Sequence, residues 1–149
     1  MRQDSVITDE LRARIGVEKG PYVINVEAGD LRRFSEAVRR GGDAGAAVDG
    51  PVPPTLFCPD PIIAADLCGL GRPRPWKYSI DGGSEWQFHR SVRASDTLRL
   101  YSRIADLYEK QGAKTGRMLF TIIEVRCLNQ HGDLVGVGRS TAIAYEGKE

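Results

Sequence analysis

The sequence predicts an α+β fold in which one antiparallel sheet wraps around a short apolar helix. Three observations carry this. Trp86 and Phe88 alternate with Glu85, Gln87 and His89, and Leu98, Leu100, Ser102 and Ile104 repeat the period of two that marks a strand with one buried face. The long segment 117–145 is rich in β-forming residues and is interrupted by one turn signal, Asn129-Gln130-His131-Gly132-Asp133. Ahead of these strands, Ile62-Ile63-Ala64-Ala65-Asp66-Leu67-Cys68 is apolar on nearly every side, the pattern of a buried helix.

The chain has 149 residues, which predicts a single domain over 1–149 with a sizeable core. Lys and Arg number 21 against 20 Asp and Glu, so the formal charge of +1 supplies no broad positive field for nucleic acid. Cys58, Cys68 and Cys127 are too scattered for a disulfide framework or a zinc site, and a reducing cytoplasm fits them best. The polar start, Met1-Arg2-Gln3-Asp4-Ser5, does not resemble a secretory signal, and no run approaches the roughly 20 apolar residues of a membrane span.

In chain order, Thr8 caps a short peripheral helix in which Leu11 and Ile15 share a face and Gly16 is the stop. Tyr22-Val23-Ile24-Asn25-Val26 reads as the first strand. Asp30 then caps a helix over 31–38, with Leu31, Phe34 and Val38 on its apolar stripe and Gly41-Gly42 at its end. Residues 41–54 are Gly, Ala, Asp and Pro without periodicity, and read as a loop. Asp60-Pro61 supplies the N-cap and first-turn proline of the apolar helix, closed by Gly69. Arg72 and Arg74 in the Gly71-Arg72-Pro73-Arg74-Pro75 connector read as exposed charges. Residues 76–80 form a short strand broken by Asp81-Gly82-Gly83, and a new strand carries Trp86, Phe88 and Val92 on its buried face. Gln111-Gly112-Ala113-Lys114 makes a turn. Residues 118–125 are apolar on both faces, which predicts a central strand covered by helix on one side and a partner subunit on the other. Gly136 and Gly138 mark a bulge or a close backbone approach in the last strand.

The segments Gly29-Asp30-Leu31-Arg32-Arg33-Phe34-Ser35-Glu36-Ala37, Pro53-Pro54-Thr55-Leu56-Phe57, the run from Glu85 through Asp96-Thr97-Leu98, Gly132-Asp133-Leu134-Val135 and Arg139-Ser140-Thr141 stand in an informative order. Together they resemble the N-terminal (FAS1-like dehydratase) hot-dog domain of MaoC-like dehydratases, over nearly the whole chain from about Leu11 to Tyr145. The resemblance implies a hot-dog fold, an acyl-CoA or acyl-carrier-protein thioester as ligand, and addition or removal of water across a 2-enoyl double bond. It implies no cofactor beyond the pantetheine carried by the substrate.

Active members of that family carry Asp-x-Asn-Pro-x-His after the first helix, where Asp and His activate the water that adds to C3. Such acid-base work requires two titratable groups converging on one water. Here the matching stretch is Asp43-Ala44-Gly45-Ala46-Ala47-Val48: Asp43 keeps the acid position, and Val48 replaces the histidine. The dyad cannot be assembled locally, and Asp43 reads as a loop residue before it reads as a catalyst. His89 lies opposite Trp86 and Phe88 and reads as a structural or interface residue ahead of a substrate contact, while His131 falls in a turn. No catalytic residue is therefore expected, with Asp43 and His89 the weak candidates, and two separate histidines with three scattered cysteines supply no metal site.

The resulting expectation is the degenerate half of a heteromeric (R)-specific enoyl-CoA hydratase or 3-hydroxyacyl thioester dehydratase, paired with a second hot-dog subunit that carries Asp and His. Thr55, Phe57, Ile62, Ile63 and Leu67 are the candidates for lining its acyl cleft, with ordinary core packing as the equal alternative. Two other readings stay open: a non-catalytic thioester-binding or scaffold protein, as a homodimer, and a thioesterase, which needs Asp66 or Asp81 to face the cleft.

Overall fold

A computed structural model describes residues 5–29 and 57–147. The expected helix over 31–38, Asp43 with its neighbours, and Thr55 lie outside the described residues. The elements are α1 (Asp9–Ala13), β1 (Lys19–Asn25), α2 (Pro61–Leu67), β2 (Tyr78–Phe88), β3 (Thr97–Gly112), β4 (Gly116–Leu128) and β5 (Leu134–Tyr145). The strands form one sheet in the order β1-β3-β4-β5-β2, each neighbouring pair antiparallel. Helix α2 packs on one face of it, giving the expected sheet cradling a helix.

The inward face follows the period-two pattern closely. Leu98, Leu100, Ser102 and Ile104 of β3 are fully buried, as are Leu119, Ile123, Val125 and Cys127 of β4. A register shift between Ile104 and Asp106 inserts one extra residue into β3, so Leu107 also turns inward. In β5, Gly136 and Gly138 stand opposite Phe88 and Trp86 of β2. A Cβ on Gly138 would come within 2.8 Å of both Trp86 Cε2 and Pro61 Cγ, and one on Gly136 within 2.6 Å of Phe88 Cδ1. The two glycines thus mark close approach: they make room for the stacked Trp86 and Phe88 rings, 5.3 Å apart, and let α2 reach the sheet. Trp86 fixes the entry to α2 by donating from Nε1 to the Pro59 carbonyl at 2.9 Å.

Three local expectations change. The Asp81-Gly82-Gly83 break is a bulge inside one continuous strand, β2, with the register shifting between Asp81 and Ser84. Val92 lies beyond the end of β2, although it is fully buried. Helix α2 is not buried all round: Pro61, Ala64 and Ala65 face the sheet, whereas Ile63 and Leu67 are 54% and 45% exposed. The small alanines let the helix axis sit close to the strands, which lifts the larger side chains on the other face outward.

Strand β4 is central, as expected, but its outward face is half-buried within the chain itself. Phe120 stacks on Tyr108 with centroids 4.8 Å apart and Lys110 over the rings, while Glu124 binds Arg103 at 2.6 Å and Arg139 at 3.4 Å. The open surface lies at the edge. On one flank, β1 is blunted by Pro21 and a register shift between Lys19 and Tyr22. On the other, β2 leaves one side of an 11-residue strand without a neighbour among the described residues, and residues 78–85 are all exposed.

Candidate functional site

Helix α2 and the free edge meet in an open cleft of about 420 Å³, lined by Asp60, Ile62, Ile63, Arg72, Arg74, Ser79, Ile80 and Asp81. Each element supplies a distinct part. The register pairs Ser79 with Ala144 and Asp81 with Ala142, both inward residues, so Ser79 and Asp81 face the helix side of the sheet. Asp60 sits at the N-cap of α2, its Oδ1 accepting from the Ile62 N–H at 2.9 Å. Asp81 Oδ1 accepts from the Gly83 N–H at 2.8 Å, and Ser140 Oγ donates to the Gly83 carbonyl at 3.2 Å, which pins the bulge. Gly83 has φ +121, a conformation that a side chain disfavours, so the Asp81-Gly82-Gly83 signal bends the strand and aims Asp81.

Ile62 and Ile63 form the apolar wall; Ile80 borders the cleft along the strand, but its pairing with Ile143 between the inward Ser79 and Asp81 puts its side chain, 48% exposed, on the opposite face of the sheet. The connector after α2 supplies the cations. Arg72 binds Asp66 through Nε and Nη2, both at 3.3 Å, and its side chain is largely buried rather than an exposed charge. Arg74 is exposed and has no carboxylate partner among the described residues. Arg14 anchors the start of this connector by donating to the carbonyls of Leu70 and Gly71.

Of the residues singled out from the sequence, Ile62 and Ile63 line this cleft. Phe57 is half-buried and packs against the core, and Leu67 is exposed farther along α2, outside the cleft lining. His89 is exposed just past β2, held by its backbone N–H to the Val135 carbonyl at 2.8 Å, and does not line the cleft. Sequence reasoning missed Ser79, Ile80, Arg72 and Arg74, because only the β2 register and the fold of the connector bring them beside α2. Asp60 was legible as a cap, not as a cleft residue.

A second hollow of about 360 Å³ opens at the β2 bulge around Gly82, Ser84, Glu85, Ile122 and Arg139. It lacks an apolar wall comparable with Ile62 and Ile63, so the α2 cleft is the better candidate site. The thiols of Cys58 and Cys127 lie 3.9 Å apart in the core, and the hydrogen bond between them together with burial pushes the Cys127 thiol up, away from the reactive thiolate. Among the described residues no group of three or more His, Cys, Asp or Glu side chains could hold a metal ion, and no helix is long and apolar enough to cross a membrane.

A sheet of this strand order cradling a single central helix defines a hot-dog protein. The chain belongs to the FAS1-like, dehydratase domain region family, whose profile matches residues 13–136, and so to the hot-dog dehydratases. Among solved structures, a chain of the C-terminally truncated HadBC (3R-hydroxyacyl-ACP dehydratase) complex from Mycobacterium tuberculosis superposes with a TM-score of 0.60 at 19% identity, covering 88% of this chain and 97% of that one. A chain of the ChsH1-ChsH2 complex from the same organism gives 0.59 at 13% identity, over 91% and 93%. The MaoC-like dehydratase from Rhodospirillum rubrum gives 0.57 at 12% identity, over 91% and 94%. No curated protein matches the sequence.

Proposed function

We propose that this chain is the non-catalytic half of an (R)-specific enoyl-thioester hydratase or 3-hydroxyacyl dehydratase, acting beside a second hot-dog subunit that supplies Asp and His. The observation that carries this reading is the isoleucine-walled cleft opening onto the free edge of β2. A second sheet added to that edge would close the cleft into a channel shared by the two subunits. The names of two structural relatives describe complexes, HadBC and ChsH1-ChsH2, in keeping with such a pairing. Hydration requires a base to take a proton from water as oxygen bonds to C3, and an acid to deliver a proton to C2. Val48 in the histidine position can do neither. Ile62 and Ile63 would instead exclude water from the acyl tail, and the free thiols of Cys58 and Cys127 agree with a reducing cytoplasm.

The test compares the chain alone, a hot-dog partner carrying Asp-x-Asn-Pro-x-His alone, and the co-expressed pair, following loss of the conjugated enoyl absorbance of crotonyl-CoA. The expected result is turnover on the order of 10 s⁻¹ for the pair and less than a hundredth of it for this chain. An isolated chain as active as the pair overturns the assignment.

Thioester hydrolysis is the second reading, favoured by the carboxylate of Asp81 in the cleft; Asp66 is engaged by Arg72. In this chemistry the carboxylate takes a proton from water, the hydroxyl bonds to the thioester carbonyl, and the thiol leaves. Release of free CoA thiol from butyryl-CoA, abolished by Asp81→Asn, would establish it in place of hydration.

A further inference from the structure

The cleft has an unequal distribution of charge that the acyl tail does not use. Among the four charged residues on its lining, three are already engaged. Arg72 is paired with Asp66, and Asp60 and Asp81 each turn an oxygen to a backbone N–H two residues ahead. Arg74 alone has its donors unmatched among the described residues, and it stands between Pro73 and Pro75 on a connector tied down by Arg14. The two prolines restrict the backbone around it, so little backbone freedom is lost when its guanidinium meets a ligand. A planar guanidinium at the rim of an apolar cleft matches a ligand with an extended, weakly polar arm that ends in a phosphate.

Resting on the thioester reading above, we propose that Arg74 is the phosphate anchor of this cleft, holding the phosphate at the end of the pantetheine arm while Ile62 and Ile63 flank the arm itself. Coenzyme A presents that phosphate within a diphosphate, and an acyl carrier protein presents it as a phosphodiester. Arg74 is a binding residue in this assignment and takes no part in proton transfer.

The experiment measures binding by calorimetry to the purified chain and to Arg74→Gln and Arg74→Lys. The probes are butyryl-pantetheine, butyryl-4′-phosphopantetheine, butyryl-CoA and a butyryl-loaded acyl carrier protein. The unsubstituted chain should bind the phosphorylated thioester about tenfold more tightly than butyryl-pantetheine, Arg74→Gln should erase that difference, and Arg74→Lys should restore part of it. Melting temperatures should stay equal, since the side chain is exposed and has no carboxylate partner among the described residues. A tenfold loss with butyryl-CoA and not the carrier protein identifies the source as CoA, and the reverse identifies the carrier protein; either supports the anchor. Unchanged affinities in Arg74→Gln, or an equal loss with butyryl-pantetheine, overturn the anchor and leave the thioester reading standing. Failure of the unsubstituted chain to bind any of the four, both alone and with the hot-dog partner present, overturns both.

Discussion

Gly138 shows how one missing methyl group governs the site. Its inward position in β5 faces both the Trp86 ring and Pro61, the first residue of α2, so an added Cβ at 2.8 Å from each would drive the helix off the sheet or tilt the indole. Overpacking of this kind costs about 1–3 kcal/mol. Gly138→Ala should lower the melting temperature and weaken thioester binding together. Gly132→Ala is the comparison: Gly132 has φ +79 in the β4–β5 turn with nothing within 4 Å, so only backbone strain of about 1–2 kcal/mol applies and binding should be retained. Thermal denaturation with calorimetric binding reads both, and equal behaviour of the two variants would show that Gly138 does not set the helix position. From the sequence both a bulge and a close approach were open at Gly136 and Gly138. Both occur: the β4–β5 register shifts between Cys127 and Leu128, which leaves Val135 as an extra residue beside Gly136, and β2 has a bulge of its own at Asp81-Gly82-Gly83, where glycine freedom serves a turn of the strand.

At the scale of elements, α2 is too short and too uniformly apolar for its buried side to be read from periodicity. Packing decides it. Ala64→Leu would push a larger side chain into a fully buried contact and should destabilise by about 1–3 kcal/mol, whereas Ile63→Ala, on the exposed side, should change stability by less than about 0.5 kcal/mol and instead weaken binding of a long acyl thioester. Denaturant unfolding and binding of octanoyl-CoA separate the two; the opposite ranking would mean that the helix presents its other face. The N-terminal segment offers a second, pH-dependent case. Ser5 Oγ and the Val6 N–H both donate to the Glu109 carboxylate of β3, and these bonds, the Ser5 one foremost, with Arg117 nearby, hold its pKa below the ordinary glutamate value. A depressed pKa means that the docking is fully present above the unfolded value, about 4.3, and is lost as the pH falls through the lower folded one. Amide exchange at Val6 should therefore be slow at neutral pH and lose protection on acidification, and Glu109→Gln should flatten the profile.

For the molecule as a whole, the two sheet edges are treated differently. Pro21 and a register shift blunt β1, while β2 offers an exposed, bulged edge that carries Tyr78 at 44% and Ile80 at 48% exposure. An edge with free backbone groups beside apolar side chains invites a further strand. Ile80→Lys should weaken association with a hot-dog partner, or with a second copy, by about tenfold while leaving the fold intact. Sedimentation velocity across a dilution series checks this, and an unchanged association constant would place the contact on another surface. Substitutions at Ile123 or Val125 would not test the interface, since both side chains are fully buried against the helix side of the sheet.

The sequence by itself determined the α+β class, the inward sets of β3 and β4, the caps at Thr8 and Asp60, and the absence of a histidine at Val48. Each of these depends on neighbours a few residues away, through strand alternation, helix capping and residue identity. Only the tertiary structure decided which side of α2 faces out, that the Asp81-Gly82-Gly83 signal bends a strand without ending it, and that Ser79, Ile80, Asp81, Arg72 and Arg74 border the same cleft as Ile62 and Ile63. The physical reason is separation along the chain. The cleft is made where α2 crosses the edge of a sheet whose β2 is held in place by β5, more than 45 residues later, and no local pattern encodes that pairing.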